Sequence, residues 1–162
     1  MWVPPEEKDP VLLHHPTRKS VGYFGAVRLR DGKFLGAREP EQFDAQTTWT
    51  FLRQLRRVSG RSGRRVVLII DNAKYHHARL HREWREMQEP DLSLAFLPPY
   101  SPDLNPIERV WKLVRRLCLH NRYFPELAMV MAVVEEQFTR WATGSSALTK
   151  LCAVGYNMRK YL

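Results

Sequence analysis

Asp71 follows five aliphatic residues, Val66-Val67-Leu68-Ile69-Ile70, and Glu108 follows a proline-stiffened stretch, Leu97-Pro98-Pro99-Tyr100-Ser101-Pro102-Asp103-Leu104-Asn105-Pro106-Ile107. A short apolar run reads as a strand buried on both faces, and it would offer Asp71 at its carboxyl end, where open α/β sheets bind ligands. The proline loop would offer Glu108 in the first turn of a helix. Two carboxylates from different elements suit a divalent cation. Each acid also has a local use. Asp71 can cap a helix starting near Ala73. Asn105-Pro106-Ile107-Glu108 reads as a capping box in which Glu108 reaches back to the Asn105 amide. At about 100° per residue, Glu108 also lies at the edge of an apolar stripe, beside Trp111 and Arg115. Neither acid alone decides between these uses.

The histidines are less specific. His77 and His81 have the i, i+4 spacing that puts two side chains on one helical face. No cysteine is near them and the glutamate of an H-E-x-x-H pattern is absent, which argues against zinc. His76, His77 and His81 are therefore expected at the surface or at a helix start, and His14-His15 in a loop. Cys118 and Cys152 form no metal-ligand pair and no disulfide framework, which points to a reduced, cytosolic setting.

The elements that must position the acids follow from periodicity and turn signals. Residues 21–30 read as a strand, Asp31-Gly32 as a hairpin turn and residues 33–38 as the return strand. Gly22 and Gly25 within it mark close packing or a bulge. A helix opens at Asp44-Ala45-Gln46 and runs to about Val58, with Phe51, Leu52, Leu55 and Val58 as its apolar stripe and Arg53, Arg56 and Arg57 opposite. Ser59 to Arg65 is a basic loop. After the strand ending at Asp71, a helix is expected over residues 73–87 with Leu80, Trp84 and Met87 inward, then a strand over residues 92–97. Pro106 to Leu119 is the clearest helix, lined by Ile107, Val110, Trp111, Val114, Leu117 and Cys118, with Arg109, Lys112 and Arg116 on the other face. A further helix starts at Pro125 and reaches Trp141, and a short one covers residues 147–154. The end, Arg159-Lys160-Tyr161-Leu162, is expected to be loose. The order is that of an α/β fold with a leading antiparallel hairpin.

With 162 residues the default is one domain. The organisation expected is a main body over residues 1–141 and a tail over residues 142–162 with a short helix. No segment has the length of a membrane span, and the start lacks the pattern of a signal peptide. The net charge is +9, with a pI near 9.9. Clusters such as Arg53/Arg56/Arg57, Arg61/Arg64/Arg65 and Lys112/Arg115/Arg116 would attract a polyanion. Charge alone does not choose between DNA, RNA and anionic lipid.

Asp71-Asn72-Ala73-Lys74-Tyr75-His76, followed by Leu97 to Glu108 and then Trp111, resembles the DDE transposases of bacterial insertion sequences in the mariner-like superfamily. The hairpin segment Tyr23 to Val27 and His120-Asn121-Arg122-Tyr123-Phe124 resemble that family too, so the likeness spans residues 1–141. It implies a ribonuclease H-like α/β fold, a mixed sheet flanked by helices. It also implies a site in which three acids hold two divalent metals, Mg²⁺ or Mn²⁺, about 3.5–4 Å apart for in-line attack on a phosphodiester. Carried over, Asp71 is the second acid and Glu108 the third. Lys74, Lys112, Arg115 and Arg116 are the expected contacts to DNA phosphates.

The departure concerns the first acid. In the family it lies on the central strand, ahead of the segment that Met1-Trp2-Val3-Pro4-Pro5 resembles, and no residue here fills its role. Asp9 lies in a loop and Asp31 in the hairpin turn. The helix-turn-helix part that reads DNA ends is missing as well. The expectation is a C-terminal fragment of a transposase (a truncated gene, a late start or the second frame of a frameshifted element). It would lack the central strand, be inactive alone, and work in the bacterial cytoplasm on nucleoid DNA. Its partners would be transposon ends, target DNA, and the missing N-terminal part or another transposase copy. Loss of the central strand would leave an open gap between the hairpin and Val66–Asp71. The alternative is a non-catalytic basic DNA-binding remnant. A hydrolase of another kind lacks support, since there is no G-x-S-x-G elbow or phosphate-binding loop.

Overall fold

The computed structural model describes residues 20–39, 42–60, 63–99 and 101–153. The readings for His14-His15, for Asp9 and for the 159–162 end lie outside the described residues. The hairpin forms as expected, with β1 (Gly22–Val27) antiparallel to β2 (Phe34–Glu39) in a register from Gly22↔Glu39 to Val27↔Phe34. Its turn is wider than two residues. Arg28 N–H donates to Lys33 O and Gly32 N–H to Arg28 O, both at 2.8 Å, so the strands end at Val27 and Phe34. Gly32 adopts φ 67°, a backbone state that favours glycine.

Helix α1 (Ala45–Ser59) starts on a complete capping box between Asp44 and Thr47. Phe51, Leu52 and Leu55 are buried as the stripe requires, whereas Val58 is exposed because the helix has run past its neighbours. Phe51 stacks on Phe24 of β1 at 5.1 Å. Arg56, on the opposite face, pairs with Asp91 and donates to Gln88.

The second sheet consists of β3 (Val66–Ile70) and β4 (Leu92–Phe96), parallel and in register from Val66↔Leu92 to Ile70↔Phe96. The expectation that β3 is buried on both faces is corrected. No residue of β3 is fully buried and Val67 is 37% exposed. Among the described residues β4 is its sole strand partner, and the two sheets of two strands do not join.

The helix expected over residues 73–87 is corrected as well. Two 3₁₀ turns, Lys74–His77 and Arg79–His81, precede a short α2 (Arg82–Gln88). Ala73 and Ala78 take extended ψ values of 139° and 142°, which break the helix twice. His81 Nε2 lies 2.9 Å from Tyr75 O and Arg85 donates to His76 O, so side chains satisfy carbonyls that a continuous helix would use. Leu80 and Met87 are exposed as a result.

Helix α3 (Pro106–Val114) continues into a π turn, Arg115–Leu119. The wider turn shifts the phase of the helix. Cys118 stays buried, but Leu117, expected on the inner face, is exposed. Helices α4 (Leu127–Trp141) and α5 (Ser146–Cys152) complete the order. The core unites Phe34 of β2 with Val110, Val114, Cys118, Val134, Phe138, Trp141, Leu148 and Cys152. Burial of such side chains stabilises by about 1.5–3 kcal/mol each, so the hairpin, α3, α4 and α5 are held together by one core. Trp111 lies over Gly25, where a Cβ would come within 2.6 Å of the indole. The hairpin loop is tied to the α4–α5 turn. Ser145 N–H donates to Asp31 O at 3.0 Å, and a Cβ on Gly32 would sit 2.1 Å from Ser145 O. The fold is α/β and ribonuclease H-like. Among the described residues no helix is long and apolar enough to cross a membrane.

Candidate active site

Asp71 leaves the carboxyl end of β3 beside the end of β4. Leu97 N–H donates to Ile70 O at 2.9 Å, and the Asn72 amide donates to Leu97 O. These bonds hold the two strand ends level, so the loop carrying Pro98 and Pro99 departs from where Asp71 emerges. Asp71 Oδ1 accepts from Ala73 N–H at 3.1 Å, a turn bond of the kind aspartate makes at a loop start. The same oxygen lies 3.2 Å from His76 Nε2. Oδ2 has no protein partner among the described residues, and the side chain is 56% exposed. The local capping use therefore occupies one oxygen and leaves the other.

Glu108 lies in the first turn of α3, half-buried. Asn105 caps that helix, its side chain accepting from Ile107 N–H at 3.4 Å, with Pro106 at the first helical position. The reciprocal bond expected from Glu108 to the Asn105 amide is not formed, so half of the capping box is corrected. Glu108 also has no ion-pair partner among the described residues. The sequence-based expectation brought Asp71 and Glu108 to one ion. The structure sets Asp71 at the tip of β3, beside the end of β4 from which the proline loop departs, and Glu108 in the helix head that this loop leads into.

The histidines depart from their expected surface positions. His76 is 8% exposed and His81 fully buried, while His77 is exposed and stacks on Phe96 at 4.2 Å. Burial pushes the His76 imidazole down to about 4, against the opposing pull of the Asp71 carboxylate. Burial likewise pushes the Tyr75 hydroxyl up, with Asp71 adding to the effect. The contact of His76 with Asp71 was missed in the sequence. Its signal is spacing, since a histidine five residues after a strand-end acid is within reach of one tight turn.

Lys74 sits in the 3₁₀ turn after Asp71, Lys112 on α3, and Arg115 and Arg116 in the π turn; all four are exposed. Asp31, the acid in the hairpin loop, is committed elsewhere. Arg28 donates to both its carboxylate oxygens, at 2.8 and 2.5 Å, and holds its carboxyl down at about 2. Hard carboxylate oxygens at an exposed strand tip suit a hydrated divalent ion in kind. In number two carboxylates fall short of a two-metal site, and among the described residues no three His, Cys, Asp or Glu side chains converge.

Residues 1–130 match the family of DDE superfamily endonucleases. An uncharacterized protein of Sinorhizobium fredii, y4pE/y4sA, is 38% identical over 104 residues, covering 64% of this chain and 71% of that protein. Among solved structures, the Mos1 strand transfer complex matches with a TM-score of 0.63 at 23% identity, over 94% of this chain and 46% of that one. The Mos1 transposase paired-end complex with the left transposon end gives 0.64 at 21% identity, over 94% and 47%. The Mos1 mariner paired-end complex with Mn gives 0.63 at 21%, over 94% and 46%. At these identities the likeness is one of fold. The chain spans about half the length of the Mos1 chains it matches.

Proposed function

The chain belongs to the DDE superfamily endonucleases, and from that premise we propose that it supplies part of the catalytic domain of a DNA transposase of a bacterial insertion sequence. Asp71 and Glu108 are two of its three metal-holding carboxylates. A bound divalent pair, Mg²⁺ or Mn²⁺, would supply the Lewis acidity that activates a water or a DNA 3′-hydroxyl and steadies the leaving oxygen. The chain's own part is to offer Asp71 Oδ2 from a strand tip and the Glu108 carboxylate from a helix head. Lys74, Lys112, Arg115 and Arg116 hold DNA phosphates. The observation that carries this reading is the Asp71 carboxylate, one oxygen tied down and the other exposed at the carboxyl end of a parallel pair.

The first acid, which has no counterpart here, belongs on a strand between β1 and β3, whose outer edges have no strand partner among the described residues. We place that strand in a preceding part of a longer polypeptide or in another transposase copy, acting on nucleoid DNA. Without it the chain is inactive. Incubated with supercoiled DNA and Mg²⁺ or Mn²⁺, the chain is expected to leave the DNA uncut. Nicking that disappears in Asp71→Ala would overturn the inactivity and show that the chain suffices.

The exposed cations and the shortfall in carboxylates favour a second reading, a DNA-binding remnant without catalysis. It calls for affinity that falls steeply with salt and is indifferent to Asp71→Ala and Glu108→Ala.

A further inference from the structure

We propose that His76 is a positioning residue that fixes the rotamer of the Asp71 side chain about Cα–Cβ, holding one carboxylate oxygen against the turn and leaving the other for the cation. The proposal rests on the assignment of Asp71 as a metal ligand.

Two groups converge on Asp71 Oδ1. Ala73 N–H donates to it at 3.1 Å, and His76 Nε2 lies 3.2 Å away. A carboxylate held by one donor still turns about its side-chain bonds. A second donor from another direction holds the side chain in one rotamer, so that the carboxylate edge away from both donors is left to the cation. Metal ligands are commonly oriented by such outer partners. The tautomer is consistent. A neutral imidazole carries one N–H, and His76 Nδ1 is buried with no acceptor, so the proton belongs on Nε2, opposite the carboxylate oxygen.

His76 is itself immobilised. Its ring packs edge-on against Tyr75 at 4.5 Å, its N–H donates to Ala73 O at 2.9 Å, and its carbonyl accepts from Arg85 at 3.3 Å. Beneath it, fully buried His81 holds Tyr75 O. The 3₁₀ turn Lys74–His77 thus aims one ring back at the strand tip. His77 takes no part, since its Nε2 faces Asn72 Oδ1 at 3.2 Å.

The test uses the full chain, isotopically labelled for NMR. Three-bond couplings across the Asp71 Cα–Cβ bond report its rotamer, and Mn²⁺ binding is followed by water-proton relaxation. The unsubstituted chain should show a single Asp71 rotamer. His76→Phe, which keeps the ring and removes the donor, should average the couplings and weaken Mn²⁺ binding by about 10-fold or more. His76→Gln, which keeps an N–H donor, should restore much of both. Averaged couplings in the unsubstituted chain overturn the proposal without any variant. So does a single rotamer that persists in His76→Phe with unchanged Mn²⁺ affinity, while Asp71→Ala abolishes binding. Mn²⁺ binding that is unaffected by Asp71→Ala removes the metal assignment instead, and the couplings then decide the positioning by themselves.

Discussion

At the scale of single residues, the site is defined by which polar atoms are already spoken for. Asp71 spends one oxygen on the Ala73 amide, and Asn105 caps α3 without help from Glu108. Asp31 shows the opposite case, with both oxygens taken by Arg28. Its carboxyl is held at about 2 against an ordinary 3.8, so between those values the unfolded chain binds more protons than the folded one. The stabilisation is fully present above about 4 and is lost as pH falls through about 2. Asp31→Asn should therefore lower the Tm at pH 7, and thermal melts should show the deficit closing toward pH 2. The two candidate acids were legible in the sequence because each ends an element with a strong local signature. The role of His76 was not. Three histidines within six positions look alike on paper, and burial alone separates the ring against the strand tip from the ring stacked on Phe96.

Among the elements, α3 carries most of the consequence, because it brings Glu108 and packs Trp111 into the hairpin in the same turn and the next. Gly25 makes that contact possible by having no Cβ. Gly25→Ala should cost about 1–3 kcal/mol by overpacking. Trp111→Leu in the same chain should recover part of the loss, which a double-mutant cycle from urea unfolding would measure. Additive losses would mean the two residues do not share the strain. Helices α1 and α3 and the hairpin were legible because capping residues and 3.6-residue or alternating patterns agree with their packing. The segment over residues 73–87 was not. Leu80, Trp84 and Met87 mimic a helical stripe, yet side-chain bonds from His81 and Arg85 to backbone carbonyls break it into shorter turns. The π turn was equally hidden, since one widened turn leaves no trace in composition.

For the molecule as a whole, the hairpin, α3, α4 and α5 share one core, while β3 and β4 stand in a separate sheet. The five aliphatic residues of β3 are not fully buried, and β4 is its one strand partner among the described residues. That was beyond sequence reading, which measures a strand's appetite for burial and not its supply. Open edges pair with other chains. The chain should therefore self-associate with rising concentration in sedimentation velocity, and Val67→Lys should suppress this while leaving the far-ultraviolet dichroism intact. A monomer at all concentrations would show that the edges are already satisfied. The tie between the hairpin loop and the α4–α5 turn has a consequence for motion. With Gly32 pressed on Ser145 O and Ser145 N–H bound to Asp31 O, neither loop can fray by itself. The amide protons of Gly32 and Ser145, 113 positions apart in sequence, should exchange with solvent in the same opening event, so that the hairpin and the last helix breathe as one.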